Sequence, residues 1–125
     1  MNEAKATLKN YRQSPRKVRV VADLVRGKRV EDALITLTYT TKRATDPLSK
    51  LLSSAIANAK NLSMPTEKLI VKEISVDGGA ILYRRLPKSR GIATPIRKRT
   101  SHVTITLAEG KPKKIKAVKT KVAKK

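Results

Sequence analysis

The sequence predicts an α+β fold in which three helices pack on a small three-stranded antiparallel sheet, with a long protruding β-hairpin and a basic C-terminal tail. Three observations indicate this fold class. Segments with strand character at residues 69–77 and 101–108 flank a stretch rich in arginine and lysine. The chain before them contains three segments whose apolar residues recur at helical spacing. The last fifteen residues contain eight lysines and no acid.

The first element is a strand at residues 4–11. Ala4, Ala6 and Leu8 alternate there with polar residues, and a period of two is typical of a strand with one buried face. We expect this strand to lie at an edge of the sheet.

A helix is predicted from Pro15 to about Arg26. Ser14 is a favoured N-cap residue, proline suits the first helical position, and Gly27 is typical of the residue after a helix. The predicted buried stripe consists of Val18, Val21, Ala22 and Val25. A charged ridge on another face consists of Arg16, Arg19, Asp23 and Arg26.

Two more helices follow. The second covers about residues 30–40, and a third begins at Asp46-Pro47, which repeats the cap-then-proline pattern, and ends near Asn61. The second buries Val30, Ala33, Leu34 and Leu37. The third has a wide apolar stripe of Leu48, Leu51, Leu52, Ala55, Ile56 and Ala59. Because the third helix carries little charge, we expect it to be the most enclosed.

The two later strands should pair antiparallel, so that the residues between them form a β-ribbon that turns near Gly91. Extended backbone rises about 3.3 Å per residue, so a ribbon starting at Ala80 would reach about 36 Å, beyond the radius of gyration of about 14 Å for a compact chain of this length. Gly78-Gly79 is expected to supply a bulge or bend where the ribbon leaves the sheet. Pro95 has no N–H to donate, so we expect it to interrupt the pairing of the returning strand.

Length and charge limit the possible functions. The 125 residues suit one domain, residues 1–110 with an extended arm at 80–99, followed by a disordered lysine-rich tail at 111–125. The net charge of +21 and a pI near 10.8 predict a polyanionic partner. Absence of cysteine, of a long apolar run and of a visible signal peptide indicates a soluble intracellular protein.

No catalytic, metal or cofactor site is predicted. His102 is the one histidine, on the outward side of a strand, where it suits an exposed or phosphate-facing role. The acidic residues are scattered, and a single histidine without cysteine cannot form a usual zinc site. We therefore expect a protein that is not an enzyme.

Nucleic-acid binding remains. Aromatic residues are 2% of the chain, too few for a base-stacking platform, whereas lysine and arginine contact phosphates with little sequence preference. For the charged ridge of the first helix and for the basic pairs at 28–29 and 42–43, a surface that is merely exposed to solvent is as good an explanation as RNA binding. The candidate RNA-binding residues are Arg12, Arg16, Lys17, Arg19, Arg26, Lys28, Arg29, Lys42, Arg43, Arg84, Arg85, Lys88, Arg90, Arg97, Lys98, Arg99 and His102.

Several motifs resemble one known family. In order and spacing, SPRKVRVVADLVRGKRVEDAL, LTYT, SAIANA, VDGG and RKRTSHVTI are similar to the bacterial form of the large-subunit ribosomal protein family numbered twenty-two. The resemblance covers about residues 4–108.

This resemblance implies a small α+β domain on the outer surface of the large subunit near the polypeptide exit, with a hairpin that threads through ribosomal RNA and lines the exit tunnel. It implies contacts with several RNA domains, neighbouring ribosomal proteins and the nascent polypeptide, a role in early assembly, proximity to the macrolide site, a cytoplasmic location, and no homo-oligomer or membrane. The hairpin tip carried over by position is Lys88, Ser89, Arg90, Gly91 and Ile92. The alternative is an architectural DNA-binding protein that inserts a β-arm into the minor groove.

Overall fold

Three α-helices and five β-strands make up residues 2–110, the part of the chain that the computed structural model describes. The predicted basic tail, residues 111–125, lies outside the described residues. The elements are β1 (Glu3–Tyr11), α1 (Pro15–Val25), α2 (Val30–Tyr39), α3 (Thr45–Asn61), β2 (Leu69–Gly78), β3 (Leu82–Pro87), β4 (Ala93–Lys98) and β5 (Ser101–Glu109). Short 3₁₀ turns occupy Thr66–Lys68 and Ser89–Gly91.

The main sheet has the order β1-β5-β2, and both pairings are antiparallel. The predicted pairing of the two later strands is therefore confirmed, as is the edge position of β1. Ile105 of β5 lies opposite Ala6 on one side and Ile74 on the other. Because residues opposite each other share a face, the apolar positions of all three strands are on the same side of the sheet.

The helices cover this apolar face and enclose the core. The predicted stripe of α1 is fully buried, with Val18 and Val21 at 0% exposure. The stripe of α3 is buried except for Ile56, which is half-buried, as is Leu34 in α2. Periodicity was sufficient to find these residues because each helix presents a single face to the sheet.

Two helix starts differ from the predictions. Ser14 makes no side-chain capping bond; its carbonyl accepts from the backbone N–H groups of Lys17 and Val18. Helix α3 begins at Thr45, one residue before the predicted Asp46, so the acid lies inside the first turn. A carboxylate there complements the positive end of the helix dipole, and Pro47 falls among the first residues, whose N–H groups have no intrahelical partner.

Strands β3 and β4 form a separate two-stranded ribbon, and no residue of 80–99 is buried. The expected interruption at Pro95 is wrong, because β4 pairs with β3 throughout and Pro95 lies opposite Arg85. The backbone N–H of Lys88 donates to the carbonyl of Ile92 at 2.8 Å. Since hydrogen-bonded and non-hydrogen-bonded pairs alternate along an antiparallel ladder, the Arg85–Pro95 pair belongs to the second kind. The nitrogen of Pro95 therefore faces outward, where no partner strand needs it.

The ribbon leaves the main sheet through a bulge, but this bulge follows the predicted Gly78-Gly79, since Gly78 still pairs with Ser101. The Gly79 N–H donates to the Thr100 carbonyl at 2.9 Å, and the next ribbon pair is Leu82 opposite Lys98. Two residues, Ala80 and Ile81, thus face Arg99 alone, and such a mismatch bends a strand pair.

Candidate nucleic-acid interface

Most of the positive charge of the described chain has no acidic partner. Eight of the thirty lysines and arginines lie in residues 111–125, which leaves twenty-two in residues 2–110. Among the described residues, two ion pairs occur, Asp23–Arg26 and Glu3–Lys72. The remaining cations are available to an external anion or to backbone carbonyls.

Six basic residues meet in one open concavity of about 500 Å³, which we call the basic concavity. Three separate parts of the chain form it: the β1–α1 connection with the first turn of α1, the α2–α3 loop, and the end of β4. Its lining residues are Arg12, Gln13, Ser14, Lys17, Arg43, Arg97, Lys98 and Arg99. No acid is among them, so the concavity is a region of positive potential that suits phosphate groups.

Local structure explains how these residues come together. The bulge in β1 between Leu8 and Tyr11 turns the chain, and the Tyr11 hydroxyl donates to the carbonyl of Arg43 at 3.4 Å. The hydroxyl of Ser101, at the start of β5, donates to the Gln13 carbonyl. The start of α1, the 40–45 loop and the returning ribbon strand are therefore held against each other. The N-terminus of α1 adds its own partial positive charge.

One lining residue of the concavity has a buried polar atom without a partner. The side-chain oxygen Oε1 of Gln13 is buried and accepts no hydrogen bond from the described residues. Buried acceptors are nearly always paired in native proteins. Sequence reasoning missed Gln13, because a single glutamine between an arginine and a serine carries no recognisable signal.

Two arginines of the predicted ridge instead contact the protein itself. Arg19 donates through Nε and Nη2 to the carbonyl of Val76 at 3.2 and 3.0 Å. Arg26 donates to the carbonyl of Ile74 at 2.9 Å and pairs with Asp23 at 2.6 Å. Since β2 is an edge strand, its outward carbonyls lack a partner strand. The geometry thus favours a structural role for these two residues over the predicted RNA contact.

The Lys28-Arg29 pair is also hydrogen-bonded within the protein. Lys28 Nζ donates to the Thr36 hydroxyl at 3.1 Å, and Arg29 donates to the Glu67 carbonyl at 3.3 Å. Backbone bonds between this connection and Val71 cover the other end of the β2 edge. Arg16 and Lys42 are exposed and lie outside the concavity.

His102 has one ring nitrogen occupied. Its Nδ1 accepts the backbone N–H of Asn10 at 3.0 Å, which places the neutral-ring proton on Nε2. Asn10 lies in the β1 bulge with a positive φ of 55°. His102, which was predicted to be exposed or phosphate-facing, therefore fixes the bulge through Nδ1, and Nε2 is the nitrogen left for a ligand.

The ribbon displays the other predicted cations on two different faces. Tyr83 lies opposite Arg97 and Arg85 lies opposite Pro95 on one face. The other face carries Leu82, Arg84, Leu86, Thr94, Ile96 and Lys98. At the tip, Lys88, Ser89, Arg90, Gly91 and Ile92 are all exposed, and both Arg90 and Gly91 have positive φ.

Neither a metal-binding cluster nor a membrane-spanning helix is found in the described residues. Within residues 2–110, no group of three or more histidine or acidic residues could hold a metal ion. No helix in this part of the chain has the length and apolar character needed to cross a membrane.

Comparison with known proteins gives consistent matches over most of the chain. Residues 6–108 match the family described as ribosomal protein L22p/L17e. A large ribosomal subunit protein uL22 from Desulfitobacterium hafniense is 54% identical over 112 residues, 89% of this chain and 98% of that protein. Proteins with the same name from Citrifermentans bemidjiense and Herpetosiphon aurantiacus are 51% and 48% identical, over 87% and 86% of this chain and 99% and 96% of their own lengths.

Proposed function

The chain belongs to the ribosomal protein L22p/L17e family, and we propose that it binds ribosomal RNA through the basic concavity and the β3–β4 ribbon. It is a structural constituent of the large ribosomal subunit, like the relatives it matches, and not an enzyme. In bacteria this subunit is cytoplasmic.

The observation that carries the RNA contact is the convergence of six cations without an acid in the basic concavity. Three separate segments have to fold correctly to produce it, whereas a merely solvated surface needs no such convergence. Lysine and arginine there would neutralise phosphates, and binding of this kind is strong, salt-dependent and largely independent of sequence.

The ribbon extends the contact away from the body. None of its residues is buried, and it carries Arg84, Arg85, Lys88 and Arg90 without any acid. A ribbon of this kind can contact RNA with both faces and cross-link RNA segments that are distant in the RNA sequence. We propose that it lines the polypeptide exit tunnel and that its tip, Lys88 to Ile92, contacts the nascent chain.

The sequence also suggested an architectural DNA-binding protein. The comparisons support the ribosomal assignment and give no support to the DNA-binding alternative. The two differ in the assembly they require, since the DNA-bending protein would act as a dimer on bent duplex, whereas the ribosomal protein enters the subunit as one copy.

Sedimentation of tagged protein in a sucrose gradient tests the proposal. We expect the protein to sediment with the large subunit at moderate salt and to be released as ionic strength rises, because phosphate contacts release counterions. Recovery of the protein as a dimer on duplex DNA, absent from subunit fractions, would contradict it.

A further inference from the structure

We propose that the basic concavity binds a phosphodiester segment of RNA and that this segment sets the direction in which the β3–β4 ribbon leaves the body. The inference rests on the proposed function. It adds that the site binds the phosphodiester backbone of the RNA and that this binding orients the ribbon. It follows from the way the concavity is divided between two parts of the molecule.

Of the six basic residues that line the concavity, three belong to the body and three to the ribbon. Arg12, Lys17 and Arg43 come from the body; Arg97, Lys98 and Arg99 come from the end of β4 and the residue after it. With no acid in the lining, the two halves repel each other. A polyanion between them turns that repulsion into attraction, so the anion acts as a bridge.

The backbone and its hydrogen bonds at the root of the ribbon do little to fix the direction of the ribbon. The ribbon joins the main sheet through the bulge, where Ala80 and Ile81 face Arg99, and the last link on the body side is the Gly79–Thr100 backbone bond at 2.9 Å. The Thr100 hydroxyl adds one bond to the Ala80 carbonyl. No residue of 80–99 is buried, so packing against the core does not hold the ribbon in one direction.

Arg99 belongs both to the bulge at the ribbon root and to the basic concavity. It is the single residue opposite the two-residue side of the bulge, and it lines the concavity. A phosphate bound by Arg99 together with Lys17 or Arg43 would therefore act directly at the bend. The effect would be to narrow the range of ribbon directions.

The size and chemistry of the concavity suit a nucleotide unit. About 500 Å³ is within the range of ordinary ligand sites. RNA brings phosphates for the six cations and ribose hydroxyls for the polar lining residues Gln13 and Ser14. The shared chemistry is that of a polyphosphate or phosphodiester.

Distance measurement between two spin labels tests the bridge. The chain contains no cysteine, so Ser53→Cys on the exposed face of α3 and Ser89→Cys at the ribbon tip give two unique labels. The probe is inorganic tripolyphosphate, which is small enough for the concavity. We expect it to narrow the label–label distance distribution at least twofold in double electron–electron resonance.

A matched pair of variants identifies the site. Lys17→Gln with Arg43→Gln removes two charges from the body half and leaves the ribbon unchanged, so the narrowing should be lost. Lys60→Gln with Lys68→Gln removes the same charge from exposed lysines outside the concavity and should keep it. Circular dichroism of all variants verifies that they are folded.

Two results would overturn the inference: no narrowing in the unsubstituted labelled protein, or equal narrowing in both charge variants. Neither result affects the assignment to the large subunit, which sedimentation tests separately. If the protein sediments with the subunit but the bridge fails, RNA binding stands and only the control of ribbon direction is lost.

Discussion

At the residue scale, Gly79 is the glycine, among the five in the chain, with the least room for a side chain. A Cβ there would lie 2.4 Å from the Thr100 hydroxyl and 3.1 Å from the His102 ring. At Gly78, one residue earlier, the nearest atom to a Cβ would be a Pro15 carbon at 3.9 Å, an ordinary contact. The ribbon root thus needs glycine at position 79 for steric reasons, whereas position 78 has room for a Cβ.

We predict that Gly79→Ala lowers the free energy of unfolding by about 1–3 kcal/mol, the usual cost of overpacking. Gly78→Ala is the matched control and should change it by less than about 0.5 kcal/mol. Urea denaturation followed by circular dichroism measures both. Equal effects of the two substitutions would contradict the assigned packing at the root.

Arg19 and Arg43 provide a second test at this scale, because both were predicted to bind RNA. Arg19 donates to the Val76 carbonyl, whereas Arg43 lines the concavity. We predict that Arg19→Gln lowers stability by about 1 kcal/mol and leaves the salt dependence of RNA binding unchanged. Arg43→Gln should leave stability unchanged and reduce the slope of log K against log salt by about 0.7–0.9. The reverse pattern would show that the roles are exchanged.

These two arginines also show what the sequence could not provide. Helical spacing placed Arg16, Arg19, Asp23 and Arg26 on one ridge. Helical spacing does not show whether an arginine of the ridge contacts an RNA phosphate or a backbone carbonyl of the protein. The carbonyls are available because β2 lies at the edge of the sheet beside this ridge, and that position depends on the strand order. The apolar stripes were predictable for the opposite reason, since burial follows from periodicity within a single helix.

At the scale of elements, the pair Glu3–Lys72 connects the two edge strands across β5. The hydrogen bond and charge of Lys72 lower the pKa of Glu3, and the same contact raises the pKa of Lys72. A carboxyl whose pKa is lowered in the folded state stabilises that state above its unfolded pKa, and this contribution is lost as the pH falls through the folded pKa.

We therefore predict that Glu3→Gln slightly lowers the melting temperature at neutral pH and that this difference disappears in acid, below the folded pKa of Glu3. Added salt should also reduce the difference, because both side chains are partly exposed. Thermal melts of both proteins across the acidic pH range measure it. A difference that persists at the lowest pH would have another cause.

The sequence predicted that the ribbon exists and where it turns, but it did not predict how the strands pair at Pro95. Strand alternation at 101–108 and the carboxylate-free stretch before it were enough to predict a hairpin that turns near Gly91. The continuity of β4 through Pro95 was missed, because the direction of the proline nitrogen depends on the hydrogen-bonding register, which the turn sets. The basic concavity was also missed as a unit, since its members come from three distant segments.

Because the ribbon contributes no buried residue, the body should not need it for folding. We predict that replacing residues 82–98 with a short Asn-Gly turn changes the free energy of unfolding by no more than about 1 kcal/mol. The shortened protein should leave the large subunit at a lower salt concentration than the complete one. A body that cannot fold without the ribbon would contradict its assignment as an extension of a single domain.

At the scale of the whole molecule, the chain carries a net charge of +21, and within residues 2–110 two ion pairs occur. Self-repulsion of this size favours an expanded chain unless a polyanion neutralises it. The body has a packed core that can resist the repulsion, whereas the ribbon has only its own ladder. RNA should therefore order the ribbon much more than the body.

Amide hydrogen exchange measured by mass spectrometry, with the protein free and within the large subunit, tests this claim most directly. We expect peptides covering residues 80–99 to exchange rapidly in the free protein and to become strongly protected in the subunit, while peptides from α1 and α3 are protected in both. Ribbon peptides that are already protected in the free protein, or that stay unprotected in the subunit, would contradict it.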